Sequence, residues 1–303
     1  MKRALITGHR GFVGRQFMRH LTKLGWDVDG IDITAQHSLR NTGRDIPGDC
    51  RQVLHGLTRS YDLVVHLAAL VGGRATIDGQ PLKVAMDLSI DAEFFNWAVN
   101  TKQKRVVYYS SSAAYPIDLQ RLSMVWRLKE SDIDLDEPRK PDATYGWAKL
   151  TGEMLARHAR EAGVKVHVLR PFSGYGEDQD LCYPFPAFVK RALGKPAEFD
   201  VWGSADQVRD FIHIEDVVEG TMAVVDNDVQ DPINLGWGRP TSMRELAELV
   251  MATVGHRVPV KVVSGPLGVM YRCCDPEAML NIYRPRISLE EGVARAMRAL
   301  SAK

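Results

Sequence analysis

Cysteine is scarce in this chain: four residues in 303, at Cys50, Cys182, Cys273 and Cys274, with no C-x-x-C pair and no histidine at metal-ligand spacing. A disulfide framework and a zinc site are both disfavoured, so no metal is expected and a reducing, cytoplasmic setting fits best. Long apolar runs are missing too. No stretch approaches the ~18 residues that a membrane span needs, and the opening MKRALITG lacks the apolar core and cleavage site of a secretory leader. Neither sign of charge dominates, with 39 Lys and Arg against 38 Asp and Glu. That balance gives no reason to expect a nucleic acid or an anionic membrane as partner. Internal repeats and low-complexity segments are absent.

What the chain does have, over its first half, is alternation. Short apolar runs at 4–7, 27–33, 63–69, 105–111 and 165–171 read as strands. Amphipathic stretches at 12–25, 86–100 and 145–163 read as helices between them. Strand–helix alternation implies α/β architecture with a doubly wound parallel sheet of the Rossmann kind. After Pro171 the rhythm changes: prolines punctuate shorter elements, with helices expected at 186–193, 215–226 and 242–254. We read 1–171 as a dinucleotide-binding domain, to which some later segments return, and 172–303 as a smaller C-terminal lobe over its ligand edge. The charged stretch 116–144 reads as a surface excursion.

The first strand runs into TGHRGFVG, with Gly8, Gly11 and Gly14 opening the first helix. Glycines there permit a tight turn and close approach of a pyrophosphate to the backbone, and the helix N-terminus attracts the phosphates. Asp32 ends the second strand, 24 residues after Gly8. A carboxylate in that place takes ribose hydroxyls and repels a 2′-phosphate, which favours NAD over NADP. GDC at 48–50 offers Asp49 and Cys50 for the adenine edge.

Tyr145 alone among nine tyrosines has a lysine, Lys149, four residues on, hence on the same helical face. The ammonium favours the phenolate. The serines of YSSSAAYP, 109–116, sit where the fourth strand ends, the edge at which such sheets bind ligands. Serine, tyrosine and lysine together suit hydride transfer at a carbinol with a nicotinamide cofactor.

These stretches, with HLAA (66–69), LRPFSGYG (169–176), RDFIHIEDVVEG (209–220) and INLGWG (233–238), resemble the extended short-chain dehydrogenase/reductases of the nucleotide-sugar epimerase/dehydratase group over nearly the whole chain. The resemblance implies Ser111, Tyr145 and Lys149 as catalytic residues, Ser111 because it stands four residues before the loop tyrosine Tyr115. It implies NAD held by Gly8, Gly11, Phe12, Val13, Asp32, Asp49, Cys50, Leu67, Ala68, Ala69, Tyr145, Lys149 and Pro171. It implies a nucleoside-diphosphate sugar, quite in keeping with a GDP sugar, met by Gly73, Arg74, Ser112, Ser173, Arg209 and Arg272, the last two on the diphosphate. A homodimer is expected on the same basis alone.

Within the group, ALVGGRA (69–75), 186–220 and GPLGVMYRCCD (265–275) look most like GDP-mannose 3,5-epimerase and GDP-fucose synthase. Those enzymes place a cysteine two residues before the loop tyrosine, with a Lys or His after the YG motif, for proton exchange at C3 and C5. Here the cysteine's place is Ala113, and EDQDLCYP (177–184) has neither Lys nor His. Alanine holds no proton. The expectation therefore shifts to C4 hydride chemistry: a 4-epimerase, or a 4-dehydrogenase or 4-ketoreductase. A 3,5-epimerase with another acid/base pair and a non-catalytic NAD-binding sensor or scaffold remain open. Leu88 and Ser173 stand where relatives carry asparagines.

Overall fold

The computed structural model describes residues 1–34, 38–40 and 43–301. The strands in chain order are β1 (Arg3–Thr7), β2 (Asp27–Asp32), β3 (Ser38–Arg40), β4 (Gly43–Pro47), β5 (Leu63–His66), β6 (Arg105–Tyr109), β7 (Arg127–Leu128), β8 (Lys165–Pro171), β9 (Ser173–Tyr175), β10 (Phe199–Trp202), β11 (Val208–His213), β12 (Ile233–Leu235), β13 (Pro240–Ser242), β14 (Val260–Val263) and β15 (Tyr271–Cys274). The helices are α1 (Phe12–Lys23), α2 (Cys50–His55), α3 (Arg74–Gly79), α4 (Pro81–Val84), α5 (Asp87–Asn100), α6 (Ala143–Glu161), α7 (Pro184–Leu193), α8 (Ile214–Asp226), α9 (Met243–Thr253), α10 (Glu277–Leu280) and α11 (Leu289–Ser301).

The main sheet has eight strands in the order β12-β8-β6-β5-β1-β2-β4-β3, parallel except at the β3–β4 edge. Apolar runs such as LVVH in β5 are buried on both faces, as a parallel sheet between helix layers requires. One layer packs Phe17, Met18 and Leu21 of α1 with Val217, Val218 and Val225 of α8 against the sheet. The other packs Phe94, Phe95, Trp97 and Ala98 of α5 with Ala156 and Ala159 of α6. Between β1 and β5 the strand order reverses direction, so their C-terminal ends splay and leave a crevice.

The later lobe carries β13-β11-β15-β7 with β9 on β11, and the β10–β14 pair, over its own core of Phe185, Phe188, Leu246, Val250 and Val293. It is threaded into the main sheet, because β12 pairs with β8. The segment 116–144 is more than a surface excursion. Leu119 and Leu128 are buried with Tyr115, Phe172 and Cys274, and β7 pairs with β15. Its many charges hide this, since Glu130 accepts from the Asn234 backbone N–H at 2.8 Å and Gln120 is buried. Among the described residues no helix is long and apolar enough to cross a membrane, and no cluster of His, Cys, Asp or Glu is placed to hold a metal ion.

Candidate active site

A cleft of about 840 Å³ opens at the strand-order reversal. Its floor is the β1–α1 turn. Gly8 has φ +69°, and a Cβ there would sit 2.8 Å from the Ala68 nitrogen, so a side chain is excluded both by backbone and by space. The α1 N-terminus has no side-chain cap and no acid in its first turn. Its free N–H groups and positive dipole end are left for an external anion. Asp32 closes one end. Its Oδ1 accepts from Thr34 N–H at 2.9 Å and Thr34 Oγ at 2.8 Å, and its Oδ2 from Arg10 N–H at 3.0 Å. Oδ2 keeps a further acceptor site. All thirteen residues expected to hold a cofactor line this cleft, as does Ser111. Asp49 does so with its carboxylate already engaged: it caps α2 through Arg51 N–H and pairs with the Arg51 guanidinium at 2.5 Å. Burial pushes the neighbouring Cys50 thiol up to about 12.

The serines separate. Ser110 lines the cleft too, but its hydroxyl is committed to Glu153 Oε1 at 2.5 Å, beside the fully buried Arg170, whose Nη2 meets Glu153 Oε2 at 2.7 Å. Ser111 faces the cleft, its Oγ accepting the Ala113 N–H at 3.1 Å. It reaches the Tyr145 phenol and favours its ionisation, as does Lys149, yet burial outweighs both and raises Tyr145 above the ordinary phenol value. The expected lowering by Lys149 is thus present but not dominant. Lys149 is 5 % exposed with its Nζ 5.9 Å from the Tyr145 ring centroid and 5.4 Å from that of Tyr108. The loop at 112–114 is seated on α6: the Ala113 carbonyl accepts the Asp142 N–H at 2.9 Å and abuts Gly146. That contact sets Ser111 against Tyr145.

The expected substrate residues lie elsewhere. None of Gly73, Arg74, Ser112, Ser173, Arg209 and Arg272 lines this cleft. Ser112 is 6 % exposed and is buried beside Ala113. Ser173 is taken into the β9–β11 ladder. The arginines gather around Asp142, three residues before Tyr145. Arg74 Nη1 meets Asp142 Oδ1 at 2.7 Å, and Arg272 Nη2 meets Asp142 Oδ2 at 2.8 Å. Arg209 donates only to the Val208 and Val269 carbonyls, at 2.8 and 3.0 Å. Burial, then repulsion from Arg272 and Arg74, brings Arg209 down to about 9. Arg74 also pairs with Asp78 at 2.7 Å, so Arg74 and Arg272 share Asp142 while Arg209 is left without a carboxylate partner among the described residues.

Three groups escaped the sequence reading. Leu88 is 39 % exposed, while its neighbour Asp87 is fully buried and accepts the Leu70 N–H. Asp87 and Asp91, four apart inside the apolar run of α5, were the available signal. Tyr183 lines the cleft wall with Cys182 and faces Tyr145, and burial pushes it up to about 12.

A family model, the NAD dependent epimerase/dehydratase family, matches residues 4–236. The chain is similar to GDP-mannose 3,5-epimerase 1 of rice, 28 % identical over 315 residues, covering 96 % of this chain and 79 % of that one. It is similar to dTDP-4-dehydro-6-deoxy-D-allose reductase of a Streptomyces species, 26 % identical over 296 residues, covering 92 % and 89 %. In fold it matches UDP-glucose 4-epimerase of Thermus thermophilus in complex with NAD, with a TM-score of 0.84 at 20 % identity over 99 % of both chains. An uncapped helix N-terminus, a carboxylate at the end of β2 and a Ser–Tyr–Lys set in one crevice suit NAD, and with the match over most of the chain they make this protein an enzyme of the NAD-dependent epimerase/dehydratase family.

Proposed function

We propose that the protein is a nucleoside-diphosphate-sugar 4-epimerase acting by transient oxidation at C4, with a GDP sugar as the favoured substrate. Bound NAD supplies a reversible hydride acceptor. The α1 N-terminus and Asp32 hold it by pyrophosphate and ribose. Ser111 holds the C4 oxygen of the sugar and Tyr145 takes its hydroxyl proton. Lys149 stabilises the phenolate and then favours return of the proton. Arg209 and Arg272, with Arg74, take the diphosphate, which supplies the carboxylate-like partner that Arg209 lacks. The observation that carries this reading is the face presented by 111–113: Ser111 reaches the cleft, while Ala113 is 4 % exposed and has no proton to move.

A second reading, exchange at C3 or C5, is favoured by Cys182 and Tyr183 on the cleft wall. One experiment separates them: incubation with GDP, UDP, CDP and dTDP sugars in deuterium oxide, with products followed by NMR. Inversion at C4 without label supports the 4-epimerase. Deuterium at C3 or C5 overturns it in favour of the second reading, and net NADH accumulation overturns it in favour of a dehydrogenase. The homodimer expected from the resemblance and the cytoplasmic location expected from the few, unpaired cysteines belong to the same proposal.

A further inference from the structure

Beneath the Tyr145–Lys149 pair there is more buried negative charge than its cation balances. Asp87 and Asp91 are 0 % and 1 % exposed on α5, and the Lys149 ammonium acts on both. Asp91 is fully partnered. Its Oδ2 accepts from Tyr108 at 2.6 Å and its Oδ1 meets His66 Nε2 at 3.1 Å. Thr7 Oγ accepts the Leu67 and Ala68 N–H groups at 3.1 and 3.2 Å, so its own proton goes to His66 Nδ1 at 2.7 Å. The imidazole is therefore neutral with its hydrogen on Nε2, donated to Asp91. Burial lowers His66 in agreement with that. Asp91 remains ionised and cancels Lys149.

Asp87 is the remainder. Its Oδ1 accepts the Leu70 N–H at 2.6 Å, and its Oδ2 is buried with no hydrogen-bond partner. An orphaned buried carboxylate oxygen is a liability that a fold retains only with a compensating use. Leu70, Tyr145 and Lys149 all line the cleft in which the cofactor is to be held. With Tyr145 protonated, Lys149 and Asp91 sum to zero, and an ionised Asp87 leaves the floor one negative charge in excess.

We propose that Asp87 is a positioning residue whose charge, acting beside Lys149 and Tyr145, makes the cleft prefer the cationic, oxidised nicotinamide over the neutral, reduced one. A site so charged keeps its cofactor oxidised between turnovers. The idea rests on NAD binding and not on which carbon of which sugar reacts. Burial raises Asp87 to about 6, against the pull of Lys149. The titratable groups that act on it are Asp91 on its own helix and Tyr145 and Lys149 on α6, with His66 on β5 and Tyr108 on β6 behind Asp91 as its partners. Protonation of Asp87 as pH falls through about 6 removes the excess charge, so the preference for the oxidised form weakens in acid.

The test is the ratio of NAD+ to NADH dissociation constants, measured by calorimetry and NADH fluorescence between pH 5 and 8 on wild type and Asp87→Asn. The ratio cancels groups that touch only the parts common to both forms. The wild-type preference for NAD+ is expected to weaken about tenfold toward pH 5, with proton release on NAD+ binding near pH 6. Asp87→Asn is expected to show the weakened preference at every pH, with no proton release. A variant ratio equal to wild type at pH 8 overturns the proposal, and so does a pH-dependent ratio that survives Asp87→Asn, which would assign the titration to His66. Should Asp87→Asn fail to fold, a wild-type ratio flat from pH 5 to 8 overturns the proposal equally.

Discussion

Three adjacent serines end β6, and each meets different chemistry: Ser110 a buried glutamate, Ser111 the cleft, Ser112 the packing under α6. Replacing Tyr145 by Phe is expected to lower kcat by at least about 10³-fold, and Ser111→Ala by about 10²-fold, with NADH binding within a factor of two. Ser111 favours Tyr145 ionisation, so Ser111→Ala should also move the ascending limb of the kcat/KM profile, on which the phenolate forms, to higher pH. An unmoved limb would separate the serine from the tyrosine. Arg272→Ala is expected to raise KM for the nucleotide sugar about tenfold or more with little change in kcat; loss confined to kcat would place Arg272 off the diphosphate. At this scale the motif residues were legible, because glycine spacing, Asp32 and the Tyr–Lys interval are local. Asp87, Asp91 and Asp142 were not, since what defines them is the lysine or arginine that other elements bring to them.

The helix α6 is the element on which the site turns. Gly146 lets the Ala113 carbonyl approach, and a Cβ at Gly152 would overlap the Tyr108 hydroxyl and press on Asp91. Gly152→Ala is expected to destabilise the fold by about 1–3 kcal/mol in urea denaturation, by overpacking against an immovable phenol. A neutral or stabilising result, the ordinary outcome of Gly→Ala in a helix, would mean that the Tyr108–Asp91 contact yields easily. This helix could be read from the chain because its apolar face repeats over five turns. The strands of the lobe could not. β9, β12 and β13 have three residues each and acquire strand character only from distant partners.

Across the whole molecule, one buried ion pair ties several pieces together. Arg170 on β8 holds Glu153 on α6, the Tyr115 hydroxyl at 3.1 Å and the Glu130 carbonyl at 2.8 Å. Glu153→Gln is expected to remove about 3–5 kcal/mol, because it strands a buried guanidinium; loss below about 1 kcal/mol in denaturant titration would contradict that. On the acid side, burial works to raise Asp29, but hydrogen bonds from Arg44 and Tyr61 more than reverse it and hold it below the usual carboxylate range. Its stabilisation is present above pH ~4 and lost below it. Asp29→Asn should therefore flatten the acid limb of the stability curve, and an unchanged limb would assign acid unfolding to other carboxylates. The rhythm of the chain divides it at 171 with later segments expected to return, and β12 stitches residues from beyond that point beside β8. A gene fragment ending at Pro171 would expose that strand's edge and the apolar surface that α8 covers. The two parts of the chain are therefore not interchangeable cassettes: a change in what the cleft accepts has to come from substitutions within this one interwoven fold and cannot be acquired by trading lobes.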